Sequence, residues 1–230
     1  MNKLKSLLFI CLTVSLSSCL TDDNETLVLP KVMYAKPMEE VVPLAIQQKL
    51  KVYMPINTGT TPPDIEGTYL MNPDALVYTS DGQFSVGYVF ADLTMQFSGQ
   101  NSITNIITYK NKTGGSLESS DEVSVSGSGD NFTAYFNTVG EYDDKVTTFK
   151  TATIISGTIS NSGIENLTEA FVMLEKNDPN KILMAVNEYR IFKDGNGLAS
   201  NTTWPSLKSA IINSKGKLNR VSANRNQVNR

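Results

Sequence analysis

From residue 62 to residue 204 the chain is a succession of short segments in which apolar side chains recur at every second position, separated by turn residues. Alternation of this kind marks half-buried β-strands, because successive side chains leave a strand on opposite faces. Phe84, Val86, Tyr88 and Phe90 alternate with Ser85, Gly87, Val89 and Ala91, and Leu93, Met95 and Phe97 continue in the opposite phase. The slip near Ala91-Asp92 predicts a bulge or sharp bend. Further strands are predicted at 67–71, 75–79, 103–110, 123–127, 132–139, 146–159, 167–176 and 182–192. Between them lie Asp81-Gly82, Gly114-Gly115, Gly127-Ser128-Gly129-Asp130, Asp143-Asp144, Asn161-Ser162-Gly163 and Asn177-Asp178-Pro179-Asn180, all turn chemistry. Connections are short and no helical period intervenes, so antiparallel pairing is expected. The predicted fold class is all-β: a single antiparallel β-barrel of about eight strands over residues 62–204, with a β-sandwich as the alternative. A segment of this length can build one core without disulfides.

A helix is predicted ahead of the strands, within a helix-and-connector region at 37–61. Over Glu39–Met54, Val42, Ile46, Leu50 and Tyr53 recur at helical spacing while Gln47, Gln48 and Lys51 face away. Glu39 and Glu40 suit the positive end of a helix dipole, and Pro43 is tolerable in a first turn. The expected role is to cover one end of the domain's own core, with a partner-binding helix as the alternative.

Composition removes much of enzyme chemistry. There is no histidine, and the two cysteines, Cys11 and Cys19, both lie in the first twenty residues. The body therefore has no imidazole base or zinc ligand, no thiol nucleophile and no disulfide framework. No phosphate loop or Gly-x-Ser-x-Gly elbow occurs. No catalytic residue, metal site or cofactor is assigned. An enzyme limited to carboxylate, Tyr, Ser or Lys chemistry is the third-ranked reading, to be revived by buried carboxylates converging in a cleft.

Residues 1–18 read as an export signal: Lys3 and Lys5 precede the apolar run Leu7–Leu16, which is too short to span a bilayer. Leu16-Ser17-Ser18-Cys19 resembles the lipobox of bacterial lipoproteins, and the resemblance implies cleavage before Cys19 and acylation of that cysteine. More than one acyl chain gives stable anchoring. Asp22, Asp23 and Glu25 follow at once, an acidic cluster that resembles the surface-export signal of Bacteroidetes lipoproteins. Residues 19–36 are expected to form a flexible tether. The resemblance implies an outer-membrane protein held through acyl chains on Cys19 and facing the cell exterior, with the periplasmic face as the alternative.

Ile65-Glu66-Gly67-Thr68-Tyr69 opens the β region and resembles the Gly-x-Trp that opens lipocalins, with Tyr69 in place of tryptophan. Arg190, near the last predicted strand, would match the lipocalin arginine that stacks on that aromatic, making Tyr69 and Arg190 a barrel-closing pair. The resemblance implies a small apolar ligand inside the barrel. Tyr69, Tyr88, Phe90, Tyr109, Tyr135, Phe149, Phe171 and Tyr189 are the candidate ligand-lining residues, since aromatics with polar tips suit such a cavity.

The net charge of −3 conceals an asymmetry. No acid follows Asp194, and residues 205–230 carry Lys208, Lys215, Lys217, Arg220, Arg225 and Arg230. Without the signal's two lysines, the rest of the chain has 12 basic and 23 acidic residues, or −11, against +6 in this tail. The tail is expected to be disordered; the role it otherwise suits is electrostatic docking to anionic lipopolysaccharide, to nucleic acid or to the protein's own acidic face. Nucleic acid is not expected as a partner, because the domain is acidic and the tail lacks interleaved aromatics. The expected function is a non-catalytic, membrane-anchored binding module for a small apolar or extended ligand. The alternative is an adhesin or accessory subunit that meets an outer-membrane partner protein or a glycan through its exterior.

Overall fold

The computed structural model describes residues 36–205, 217 and 219–222. The signal segment, Cys19 and the acidic cluster Asp22, Asp23 and Glu25 lie outside the described residues. Everything described falls in one compact unit, Val32–Arg230.

Eleven strands form one antiparallel sheet: β1 (Gly67–Met71), β2 (Asp74–Thr79), β3 (Val89–Phe90), β4 (Leu93–Asn101), β5 (Ile106–Thr113), β6 (Ser116–Ser128), β7 (Asn131–Tyr142), β8 (Thr148–Ser160), β9 (Gly163–Asn177), β10 (Tyr189–Asp194) and β11 (Leu198–Asn201). Their order is β11-β1-β4-β5-β6-β7-β8-β9-β10-β2-β3, and β11 also pairs with β9. Eight strands thus close into a ring, but not an even barrel. The long β9 has two partners on one edge: Gly163–Glu165 pairs with β11, which closes the ring, and Thr168–Val172 pairs with β10. The strands β10, β2 and β3 leave the ring there as a flap.

The predicted turns fall where the chain reverses. Gly114 and Gly115, both at positive φ, form the two-residue link from β5 to β6, as the twist of a tight hairpin demands. Asp194 to Gly197 links β10 to β11: the Asp194 carboxylate accepts from the Asn72, Asn196 and Leu198 amides. Two strand expectations are revised. Residues 84–88 are irregular and only Val89–Phe90 pairs, so the slip near Ala91-Asp92 is the bend from β3 into β4. The 182–192 segment is a strand only from Tyr189, because Leu183 and Met184 bond instead to Ser222 and Val221 of the C-terminal segment.

The single helix is also revised. The chain forms α1 (Met38–Val41) and α2 (Leu44–Leu50). A residue before proline is pushed out of the helical region, and Val42, ahead of Pro43, is extended at φ −123° and ψ 125°. Gln47, expected to face away, is buried, and its amide donates to the Val42 carbonyl left free by the break.

Two apolar clusters result. The larger joins strands from all around the ring to the flap, through Met95, Phe97, Ile107, Phe132, Phe136, Ile155 and Met173, among others. The smaller lies on the outer face of β7 to β10, where Tyr135, Ile154, Val172, Tyr189 and Ile191 are covered by Val41, Val42, Leu50 and Met54. The helices do cover the domain's own apolar surface, on the flank of the ring.

Candidate functional site

Of the aromatics proposed as ligand-lining, Tyr69, Phe90, Tyr109, Phe149 and Phe171 belong to the inner cluster, with Tyr88 packed against it. Tyr135 and Tyr189 belong to the outer cluster. Their strand parity explains this: Ala134 and Phe136 flank Tyr135 and point inward, and Tyr189 pairs with Val172, which shares its outward face. The inner aromatics pack on one another, Tyr109 at 4.6 Å from Phe136 and 5.1 Å from Phe97 between ring centroids.

Tyr69 and Arg190 do not meet as a closing pair. The Tyr69 hydroxyl donates to the carbonyls of Ile65 and Glu66, at 3.2 and 3.1 Å, and its ring lies over Gly67. A Cβ on Gly67 would fall 2.6 Å from the Tyr69 oxygen, which accounts for the glycine two residues before the aromatic. Burial first, then the charge on Asp64, pushes the Tyr69 hydroxyl up to about 12. Arg190, fully buried, pairs with Asp81 at 2.7 Å and lies over the Phe84 and Phe90 rings at 4.8 and 5.7 Å.

The unexpected feature is a buried charged cluster. Asp74 starts β2, Glu118 lies on β6 and Glu169 on β9; their exposures are 0, 7 and 2%. Arg220, 2% exposed, reaches them from the C-terminal segment. Its Nε lies 2.8 Å from the Asp74 carboxylate, and its Nη1 donates to Glu169 at 2.9 Å. Its guanidinium also lies over the rings of Phe192 and Phe171, at 4.1 and 5.5 Å. A polar chain continues from it: Thr138 donates to Glu118 at 2.9 Å and is hydrogen-bonded to Thr151 at 2.7 Å, while Asn111 donates to the Tyr109 hydroxyl at 3.0 Å.

Three carboxylates face one guanidinium here. Loss of hydration disfavours the charged form of a buried acid. Burial accordingly pushes Asp74 up to about 7, against the pull of Arg220 and with repulsion from Glu169, Asp92 and Asp194. Burial also raises Glu118 to about 7, helped by the charge on Glu169. Glu169 is raised by burial despite Arg220. Burial alone would lower Arg220, but Asp74 and Glu169 hold it above the usual arginine range.

The segment that brings Arg220 lies within the tail expected to be disordered, and Asn219 to Ser222 are buried instead. They form a turn in which the Ser222 amide donates to the Asn219 carbonyl at 3.0 Å. Asn219 donates to the Thr113 carbonyl and the Ser116 hydroxyl, both at 2.7 Å. Arg190 donates to the carbonyls of Arg220 and Ser222, at 2.6 and 2.9 Å. Part of the charge asymmetry therefore resolves within the chain, as a basic segment seated against acidic residues.

Grooves on the outside are formed by the described residues. One, of about 450 Å³, is lined by Lys36, Glu40, Ser119, Ser120, Asp121 and Asn137, among others. Another, of about 240 Å³, runs along β8 and β9 past Phe149 and Lys176. Lys36, assigned to the tether, is tied to β6: its amide donates to the Ser124 hydroxyl and its ammonium to Glu122.

Fold and site together define an antiparallel β-ring whose apolar interior holds a paired acidic cluster. Comparison with protein-family models, curated proteins and solved structures finds no match.

Proposed function

We propose that the chain is an outer-membrane lipoprotein, tethered through Cys19 and facing the cell exterior, whose ring is a non-catalytic binding module for an extended ligand. One observation carries the binding reading: residues 219–222, which belong to no strand of the ring, are buried against it and place a side chain among its aromatic and acidic groups. Such a site, with apolar walls and a few directed polar groups, has the makeup of a binding pocket. The non-catalytic reading is supported by composition, since the chain has no histidine and no cysteine beyond Cys19, and by the enclosure of Asp74 and Glu169 beside Arg220, at 0 and 2% exposure, away from the outer grooves.

A second reading, a glycan or partner protein bound through the exterior, is favoured by the 450 Å³ groove. Its hydroxyl, amide and carboxylate lining suits a sugar's hydroxyls.

The test uses the full chain in its bacterial host. Cys19→Ala should move the protein from the membrane to the soluble fraction; a variant that stays membrane-bound overturns the anchor. Native mass spectrometry of protein released by mild detergent should show added mass from a retained ligand once Asn219→Ala and Arg220→Ala loosen the chain's own segment. A chain that is empty in every preparation overturns the binding reading.

A further inference from the structure

Each residue of the 219–222 turn meets a directed partner. Asn219 reads the β5–β6 turn through Thr113 and Ser116. Arg220 meets Asp74 and Glu169. The Val221 carbonyl accepts from the Met184 amide at 2.8 Å, and the Ser222 carbonyl accepts from Arg190 at 2.9 Å. The turn is also closed from within, since the Asn219 side chain accepts from the Val221 amide at 3.0 Å.

The geometry points to a recognition site for an arginine carried on a peptide turn, a site that the chain fills in cis with its own Asn219-Arg220-Val221-Ser222. This deepens the binding-module reading and rests on it. The chemistry selects arginine over lysine. Asp74 and Glu169 meet different nitrogens of one planar guanidinium, at Nε and Nη1, while Phe192 and Phe171 offer it their faces. An ammonium is a point charge and cannot meet two separated carboxylates and stack at once. Asn219 adds selectivity one residue earlier. A peptide with the same pattern from another protein or another copy of this chain would compete with the chain's own segment for this site.

The test uses the full-length chain with Asn219→Ala and Arg220→Ala together, which removes the principal side-chain contacts of the internal occupant. The probe is a synthetic peptide of sequence Lys-Gly-Lys-Leu-Asn-Arg-Val-Ser-Ala-Asn, compared with versions carrying lysine or citrulline in place of its arginine. The double variant should bind the arginine peptide at least tenfold more tightly than either control, and at least tenfold more tightly than wild type does, since wild type keeps its own segment in place. Equal binding of the arginine and citrulline peptides, or no binding by a folded double variant, overturns the proposal. If the double variant does not fold alone, refolding is followed by circular dichroism with each peptide present: recovery with arginine alone supports the site, and no recovery overturns it. A ligand retained by the double variant in native mass spectrometry, combined with a negative peptide result, would keep the binding module and remove the arginine site.

Discussion

Arg220→Ala is expected to destabilise the protein by about 3–5 kcal/mol, because removing one partner of a buried ion pair strands the other. The stranded groups are the Asp74 and Glu169 carboxylates, at 0 and 2% exposure. The substitution also removes the guanidinium stacked over Phe192 and Phe171. For a domain of this size the change corresponds to a fall in Tm on the order of 10 °C. Arginines exposed on a surface cost far less to remove. Urea unfolding of wild type and variant at pH 8, above the value of about 7 to which Asp74 is raised, measures the effect.

The second large effect is a fall in stability between pH 5 and pH 8. Asp74 and Glu118 ionise near pH 7 in the folded chain, against ordinary values of 3.8 and 4.5. The folded state therefore holds more protons than the unfolded one between about pH 4 and pH 7, and stability drops as pH rises through that window. This contribution is whole below the unfolded values and gone above pH 7. The groups facing Asp74 are Arg220, Glu169, Asp92 and Asp194; those facing Glu118 are Glu169, Arg220, Thr138 and Asn111. At 1.36 kcal/mol per pKa unit, two groups that each titrate about two units above pH 5 give a loss on the order of 5 kcal/mol between pH 5 and pH 8. Asp81 and Asp144, held below the usual carboxylate range, act with the opposite sign only at lower pH. Thermal unfolding across pH 5–8 gives the slope, and Glu118→Gln should flatten it by about half. Stability that is level or rising over that range would mean that these acids are already ionised in the fold.

The turns and the strand content were legible because glycine, asparagine and aspartate act locally. The pairing of β9 with both β10 and β11 was not, since it joins residues far apart in sequence and leaves no local mark. Strand faces were legible only where one face is polar. Along Phe132–Val139 both faces carry apolar groups, so the outward turn of Tyr135 had no signature in the alternation. The helix break could be anticipated at Pro43, whose effect on Val42 is local.

The acidic site left one sign. In Leu167-Thr168-Glu169-Ala170-Phe171-Val172-Met173, Glu169 takes the phase of Leu167, Phe171 and Met173, all inward. A carboxylate on an apolar phase needs a partner. Nothing near it in sequence supplies one; its partner is 51 residues away, in a stretch whose lysines, asparagines and serines signal disorder. The contrast between a +6 tail and a −11 body was the available hint, and its meaning emerges only once Arg220 is placed beside Asp74 and Glu169.

Arg220 is seated against Asp74 in the interior of the ring. A double-mutant cycle of Asp74→Asn with Arg220→Met, by urea unfolding at pH 8, isolates that pair. The predicted result is a coupling of about 2 kcal/mol or more, with the double variant less damaged than the sum of the singles. A coupling near zero would contradict it, and would place Arg220 away from the acidic interior of the ring.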